Sequence, residues 1–164
     1  MTNRRERVLL EQQDRVYRLA LRLTGGCREE AEDVAQEAMI TALKQFPLFM
    51  GRSRITTWIH TITVRVGQKR RNRQASDGQE VPLSDHDGSL PDAWDGHLTR
   101  IQLDAAICAL PDTLREAFVL VKAEGYTAKE AATILDIPQG TVQWQVHEAC
   151  QRLRKILEDT HETE

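Results

Sequence analysis

Aromatic residues are few. Three Trp, two Tyr and three Phe make up 5% of the 164 residues. The 40% hydrophobic content is nevertheless too high for a disordered chain. No apolar run approaches the roughly 20 residues that span a bilayer, so membrane insertion is not expected. The opening MTNRRERVLLEQQDR carries charges and no apolar stretch, which argues against a signal peptide. Cys27, Cys108 and Cys150 are odd in number and far apart, with no CxxC or Cys/His cluster. That argues against a zinc site or a disulfide framework, and points to small buried residues in a reducing cytoplasm. There is no phosphate loop, metal-ligand spacing or nucleophile motif, so no catalytic residue, metal or cofactor is expected. Strand patterning and internal repeats are missing too, which leaves an all-α chain.

The net charge of −3 conceals segregation. Residues 1–74 hold 15 Lys+Arg against 8 Asp+Glu; residues 75–108 hold 1 against 7; residues 109–164 hold 6 against 10. A basic lobe followed by an acidic joint suggests a polyanion partner for the first part. The boundaries read as a domain over 1–74, a flexible acidic linker over 75–96 rich in Ser, Asp, Gly and Pro, and a second domain over 97–164.

In the first domain, Arg5 to Leu23 reads as one helix with Leu9, Val16, Ala20 and Leu23 on a face, ended by Thr24-Gly25-Gly26. A second helix spans Arg28 to Gln45, opened by acids that suit the positive helix end. Ala31, Val34, Ala35, Ala38, Met39, Ala42 and Leu43 form its apolar stripe, with Asp33, Gln36, Glu37, Ile40 and Lys44 opposite. Ile40 among acids is either an ordinary exposed aliphatic or part of a binding surface. PLFMGRSRI is a loop bearing Arg52 and Arg54. The third helix places Ile55, Trp58, Ile59, Ile62 and Val66 inward and Thr57, His60, Thr61, Val64 and Gln68 outward. It runs into QKRRNR, which is either a solvated helix end or, with Arg52, Arg54 and Arg65, a phosphate-contacting lobe. His86 and His97, in and just after the linker, read as solvent-exposed.

In the second domain, helices are expected over Leu98 to Ala109 and Asp112 to Glu124, the latter opened by Pro111 and closed by Gly125. They would wall the stretch Thr127 to Leu157. Thr127 and Glu130 are spaced as a capping box. Ala128, Ala131, Ala132 and Leu135 follow on one face, then a break over Asp136 to Gly140 in which Pro138 suits the first turn of a new helix. In that helix Val142, Val146, Ala149, Leu153 and Ile156 repeat on the inner side; Gly140, Trp144, His147, Glu148 and Gln151 lie opposite. This is the pattern of a helix-turn-helix over 128–147, whose second helix offers its N-terminal residues to a major groove. A helical hairpin buried in an all-α domain is the plainer alternative.

RVYRLALRLTGGCREEAEDVAQEAMITALKQF with the later TTWIHTI resembles the second conserved region of bacterial sigma factors, and ALPDTLREAFVLVKAEGYTAKEAATILDIPQGTVQWQVHEACQRLRKIL resembles their fourth. Two such regions joined by a short linker resemble the extracytoplasmic-function subfamily. The resemblance implies a transcription initiation factor that binds the bacterial RNA polymerase core and promoter DNA, with an anti-sigma protein as regulator. It implies polymerase contacts at Asp33, Gln36, Glu37, Ile40 and Lys44. It implies −10 contacts at Arg52, Arg54, Thr57, Trp58, His60, Thr61, Arg65, Lys69 and Arg70. It implies −35 contacts at Thr127, Gln139, Gly140, Thr141, Gln143, Trp144, Gln145 and His147.

The chain departs from that pattern in places. Arg65 stands where the family often has Asn, and His60 where it has an aromatic residue. Gln143, Trp144, Gln145 and Glu148 replace the usual basic and serine residues, which implies weak phosphate attraction there. Trp144 would meet a thymine methyl, or else another part of the chain or a regulator. The acidic second half motivates one alternative, a sigma-like adaptor or decoy that binds protein partners. An ordinary helix-turn-helix regulator is another.

Overall fold

The computed structural model describes residues 4–78 and 100–161. Of the linker expected over 75–96, the part from 79 on, with His86, lies outside the described residues, as do His97 and Leu98. The chain divides into two compact units, at Leu83/Ser84. Both are helical among the described residues.

The first unit holds α1 (Arg4–Leu10), α2 (Gln13–Leu23), α3 (Arg28–Gln45) and α4 (Ile55–Ser76). The single helix expected from Arg5 to Leu23 is two helices. The chain turns at Glu11 and Gln12, where Gln12 N–H bonds back to Leu9 O at 2.9 Å. Leu9, Val16 and Ala20 are still fully buried, because the turn keeps their shared face directed at the core. The end of α2 is as expected. Thr24 Oγ1 donates to Ala20 O at 2.8 Å, and Gly25 and Gly26 take φ of 68° and 83°, a conformation that costs glycine little. Helix α3 has its expected span. Its buried Ala31, Ala35, Ala38 and Ala42 allow close approach of α2 and α4, both of which pack on it. Leu43, expected in that stripe, is instead 41% exposed, since it lies round the helix beside Ile40.

After α3 a 3-10 turn (Phe46–Leu48) opens the expected loop. Phe46, Phe49 and Trp58 form an aromatic knot, with Phe49 and Trp58 centroids 4.9 Å apart. Helix α4 buries more of its circumference than one stripe. Ile59, Ile62 and Val66 join the core as expected, but His60 and Val64, expected to point outward, are 3% and 1% exposed. The reason is that α4 packs against both α2 and α3.

The second unit holds α5 (Arg100–Cys108), α6 (Asp112–Phe118), α7 (Ala128–Leu135) and α8 (Gln139–His161). The helix expected to reach Glu124 changes character: after Phe118 it continues as a π-helical turn, Val119–Ala123, before Gly125 at φ 77°. Helices α5, α6 and α7 all pack on α8. Between α5 and α6 sits Arg115, only 8% exposed. Its guanidinium donates to Ile107 O at 3.2 Å, Cys108 O at 2.6 Å and Leu110 O at 2.7 Å, and pairs with Asp112 Oδ1 at 2.9 Å. It thereby serves the carbonyls of Cys108 and Leu110 at the end of α5, and adds a second donor to Ile107 O, which already accepts from Leu110 N at 3.1 Å. Burial pushes the Cys108 thiol above its ordinary pKa, against the opposing charge of Arg115.

Candidate nucleic-acid and polymerase interfaces

Three exposed surfaces collect nearly all the residues singled out from the sequence. The first is on α3. Asp33, Gln36, Ile40 and Lys44 share one exposed face, and Leu43 joins them. At 46% and 41% exposure, Ile40 and Leu43 make a small apolar patch within polar surroundings. Protein interfaces have that composition. Glu37 stands at the edge of this face, half-buried.

The second surface runs from the loop onto α4. Arg52, Arg54, Arg65 and Lys69 are exposed; Thr57, Trp58 and Thr61 are half-buried. Thr61 Oγ1 donates to Thr57 O at 2.9 Å, which ties the Thr61 hydroxyl to the helix backbone. Arg65, Gln68, Lys69, Asn72 and Arg73 line an open groove along the helix, with Ser76 and the carboxylate of Asp77 at its C-terminal end. In the loop before α4, Leu48 and Met50 are 79% and 76% exposed, two large apolar side chains not singled out from the sequence.

Two residues assigned to this surface lie elsewhere. His60 is in the interior, because α4 has two packed neighbours. Arg70 faces α3. Its Nε donates to Glu30 Oε1 at 2.9 Å, Nη2 to Asp33 Oδ2 at 3.1 Å and Nη1 to Glu37 Oε2 at 3.4 Å. The Glu30 hydrogen bond, partly offset by burial and helped by the neighbouring acids, holds this guanidinium protonated more firmly than usual. An acidic row at i, i+3, i+7 on α3 was legible in the sequence; its partner was not.

The third surface is the helix-turn-helix. The capping box is complete: Thr127 Oγ1 accepts from Glu130 N at 3.2 Å, and Glu130 Oε2 accepts from Thr127 N at 2.8 Å. Asp136 ends α7 in the left-handed region at φ 56°. Ile137 N–H then returns to Ala132 O at 3.1 Å, and Pro138 O accepts from Thr141 N at 3.0 Å to start α8. Pro138 thus stands just before the helix, not inside its first turn. Val142, Ala149 and Leu153 are buried as expected, and so are Ile134 and Leu157. On the outer side Gln139, Gly140, Thr141, Gln143, Trp144 and His147 are exposed, Trp144 at 61%. His147 and Gln151 hydrogen-bond through Nε2 atoms 3.1 Å apart. Gln145 departs from the expectation. It is half-buried and its Oε1 is turned inward, because its place on the helix lies at the flank of the packed face. Thr127 is exposed but its side chain is committed to the cap. No cluster of metal-ligating side chains occurs among the described residues, and no described helix is long and apolar enough to cross a membrane.

Comparisons with known proteins agree on one family. Residues 9–76 match the model of Sigma-70 region 2, and residues 100–153 that of Sigma-70 region 4. The chain is 32% identical to the ECF RNA polymerase sigma factor SigE of Mycolicibacterium smegmatis, covering 88% of this chain and 58% of that protein. It is 31% identical to the ECF sigma factor SigW of Bacillus subtilis, covering 89% and 84% respectively. Among solved structures, the sigma factor RpoE of Bartonella quintana, crystallised with the anti-sigma factor NepR, superposes with a TM-score of 0.71. That match has 26% identity and covers 93% of this chain and 95% of that one.

Proposed function

Since this chain belongs to the extracytoplasmic-function RNA polymerase sigma factors, and is thus a promoter-directing transcription initiation factor, we propose that its two units divide the work among the three surfaces. The family assignment does not favour the decoy or the ordinary regulator. In the first unit, which contains the domain expected over 1–74, the α3 face around Gln36, Ile40, Leu43 and Lys44 docks on the polymerase core. The α4 surface around Arg52, Arg54, Arg65 and Lys69 follows the separated −10 strand. In the second unit, which contains the domain expected over 97–164, the start of α8 enters the −35 major groove with Gly140, Thr141, Gln143, Trp144 and His147 foremost.

The observation that carries this reading is the run of exposed cations from the loop onto α4, Arg52, Arg54, Arg65 and Lys69, with two exposed apolar side chains, Leu48 and Met50, in that same loop. Cations track phosphates, and apolar surface covers a base that has left its stack. The protein acts in the cytoplasm and carries out no chemistry of its own. An anti-sigma protein covering the polymerase-binding face is its expected regulator; the Bartonella neighbour was crystallised with such a partner.

In vitro transcription with purified core polymerase on a genomic library tests the reading. Discrete transcripts that depend on this protein support it, and their start sites identify the −10 and −35 sequences. Tight core binding without any transcript would overturn it.

A further inference from the structure

Helix α4 changes its mode of attachment part-way along. From Ile55 to Val66 it buries Ile59, His60, Ile62, Thr63, Val64 and Val66. From Gly67 to Ser76 nothing is buried, and the segment GQKRRNRQAS offers one exposed alanine as its apolar content. Gly67 stands at the border, where it loosens the helix relative to alanine. Space is not what selects it, since an added Cβ would meet only Val34 Cγ1, at 4.0 Å.

Polar side chains reach back to α3 from this segment. Arg70 takes Glu30, Asp33 and Glu37 at 2.9, 3.1 and 3.4 Å. Arg73 Nη2 stands 3.7 Å from Glu37 Oε1. Gln74 Nε2 donates to Glu30 Oε2 at 3.1 Å. Glu30 is the most enclosed of the acids, its side chain 18% exposed, and it holds two of these tethers. Asn72 lies on the far side of the helix from Arg70 at 3.6 residues per turn, in the groove with Arg65 and Lys69.

We propose that Arg70, through Glu30, is a positioning residue: it seats the last turns of α4 on α3 and so aims the cationic groove of Arg65, Lys69 and Asn72 at its polyanion. The clamp stands on the geometry alone; its consequence for DNA rests on the reading of α4 given above. The clamp reverses a simple expectation. Removing a carboxylate from a protein ordinarily raises its affinity for a polyanion. Glu30→Gln removes Arg70's nearest anion, so affinity should fall.

The full-length chain is compared with its Glu30→Gln and Arg70→Gln variants by amide hydrogen exchange and by binding to a short fluorescein-labelled single-stranded DNA oligonucleotide. Exchange over 67–76 should quicken in both variants while that over 55–66 stays unchanged. Oligonucleotide affinity should drop roughly threefold to tenfold in Glu30→Gln, the range for a network of partly exposed ion pairs. Adding Gly67→Ala to Glu30→Gln should restore protection and affinity, because it stiffens the border without touching any charge. Unprotected 67–76 amides in the parent chain, unchanged exchange in the variants, or a rise in affinity on losing Glu30 would each overturn the proposal. If Lys69→Ala leaves oligonucleotide binding intact, the strand-binding reading of α4 fails, while the exchange data still decide the clamp.

Discussion

Arg70 and Glu30 are 40 residues apart in the chain and meet Nε to Oε1 at 2.9 Å across the α3–α4 contact. The pair ties α3 to the basic end of α4. Both side chains are mostly covered, 23% and 18% exposed, so salt screens them less than it would an open surface pair. The arginine's pKa is raised, so its contribution to stability is present below its ordinary range and is lost only as pH rises through the raised value. Near neutral pH the guanidinium stays charged, and added salt is the way to weaken the cluster.

Thr127→Ala should destabilise the second unit by about 1 kcal/mol, because it removes the acceptor for Glu130 N and half of a reciprocal cap. Thr127→Ser should keep most of that stability. Urea unfolding of the two variants checks this; equal midpoints for both would show that the box contributes nothing.

Arg115→Met should cost about 2–3 kcal/mol, since it takes the side-chain donor from the carbonyls of Cys108 and Leu110, while Ile107 O keeps its bond from Leu110 N. Its circular-dichroism melt should shift down for the second unit alone. A melt equal to the parent's would mean that water or a neighbouring group serves those carbonyls as well.

His60→Ala should reduce promoter opening through stability, not through base choice, because the side chain lies in the core at 3% exposure. A loss of roughly 1–3 kcal/mol is expected for deleting a buried side chain of this size. The rank order of −10 sequences in a transcription competition should be unchanged. A reordered preference would place the imidazole at the base.

Trp144→Ala should change stability by less than about 0.5 kcal/mol, as expected for an exposed position. Use of promoters with an intact −35 element should fall, with core binding unaffected. Equal −35 footprints in parent and variant, together with lost binding to a regulator, would assign the ring to a protein contact.

Local chemistry made much of this protein legible in its sequence. Thr24-Gly25-Gly26, the span of α3, Pro111, Gly125 and the Thr127–Glu130 box all mark helix ends whose backbone groups are satisfied within a few residues, so neighbouring side chains reveal them. The helix-turn-helix was readable for the same reason: a cap, a left-handed turn and two short apolar periods lie in one continuous stretch. Tertiary structure decided the rest. The break between α1 and α2 and the π turn after Phe118 leave no strong local signal, since neither needs a proline or glycine at its centre. Periodicity assigns a helix one buried side, yet α4 has two packed neighbours and buries His60 and Val64 as well. Leu43 went the other way, its side of α3 left uncovered by any described element. The Arg70 cluster shows the limit most clearly. A basic run states how much charge a helix carries, but which anion each cation meets depends on a helix 40 residues away.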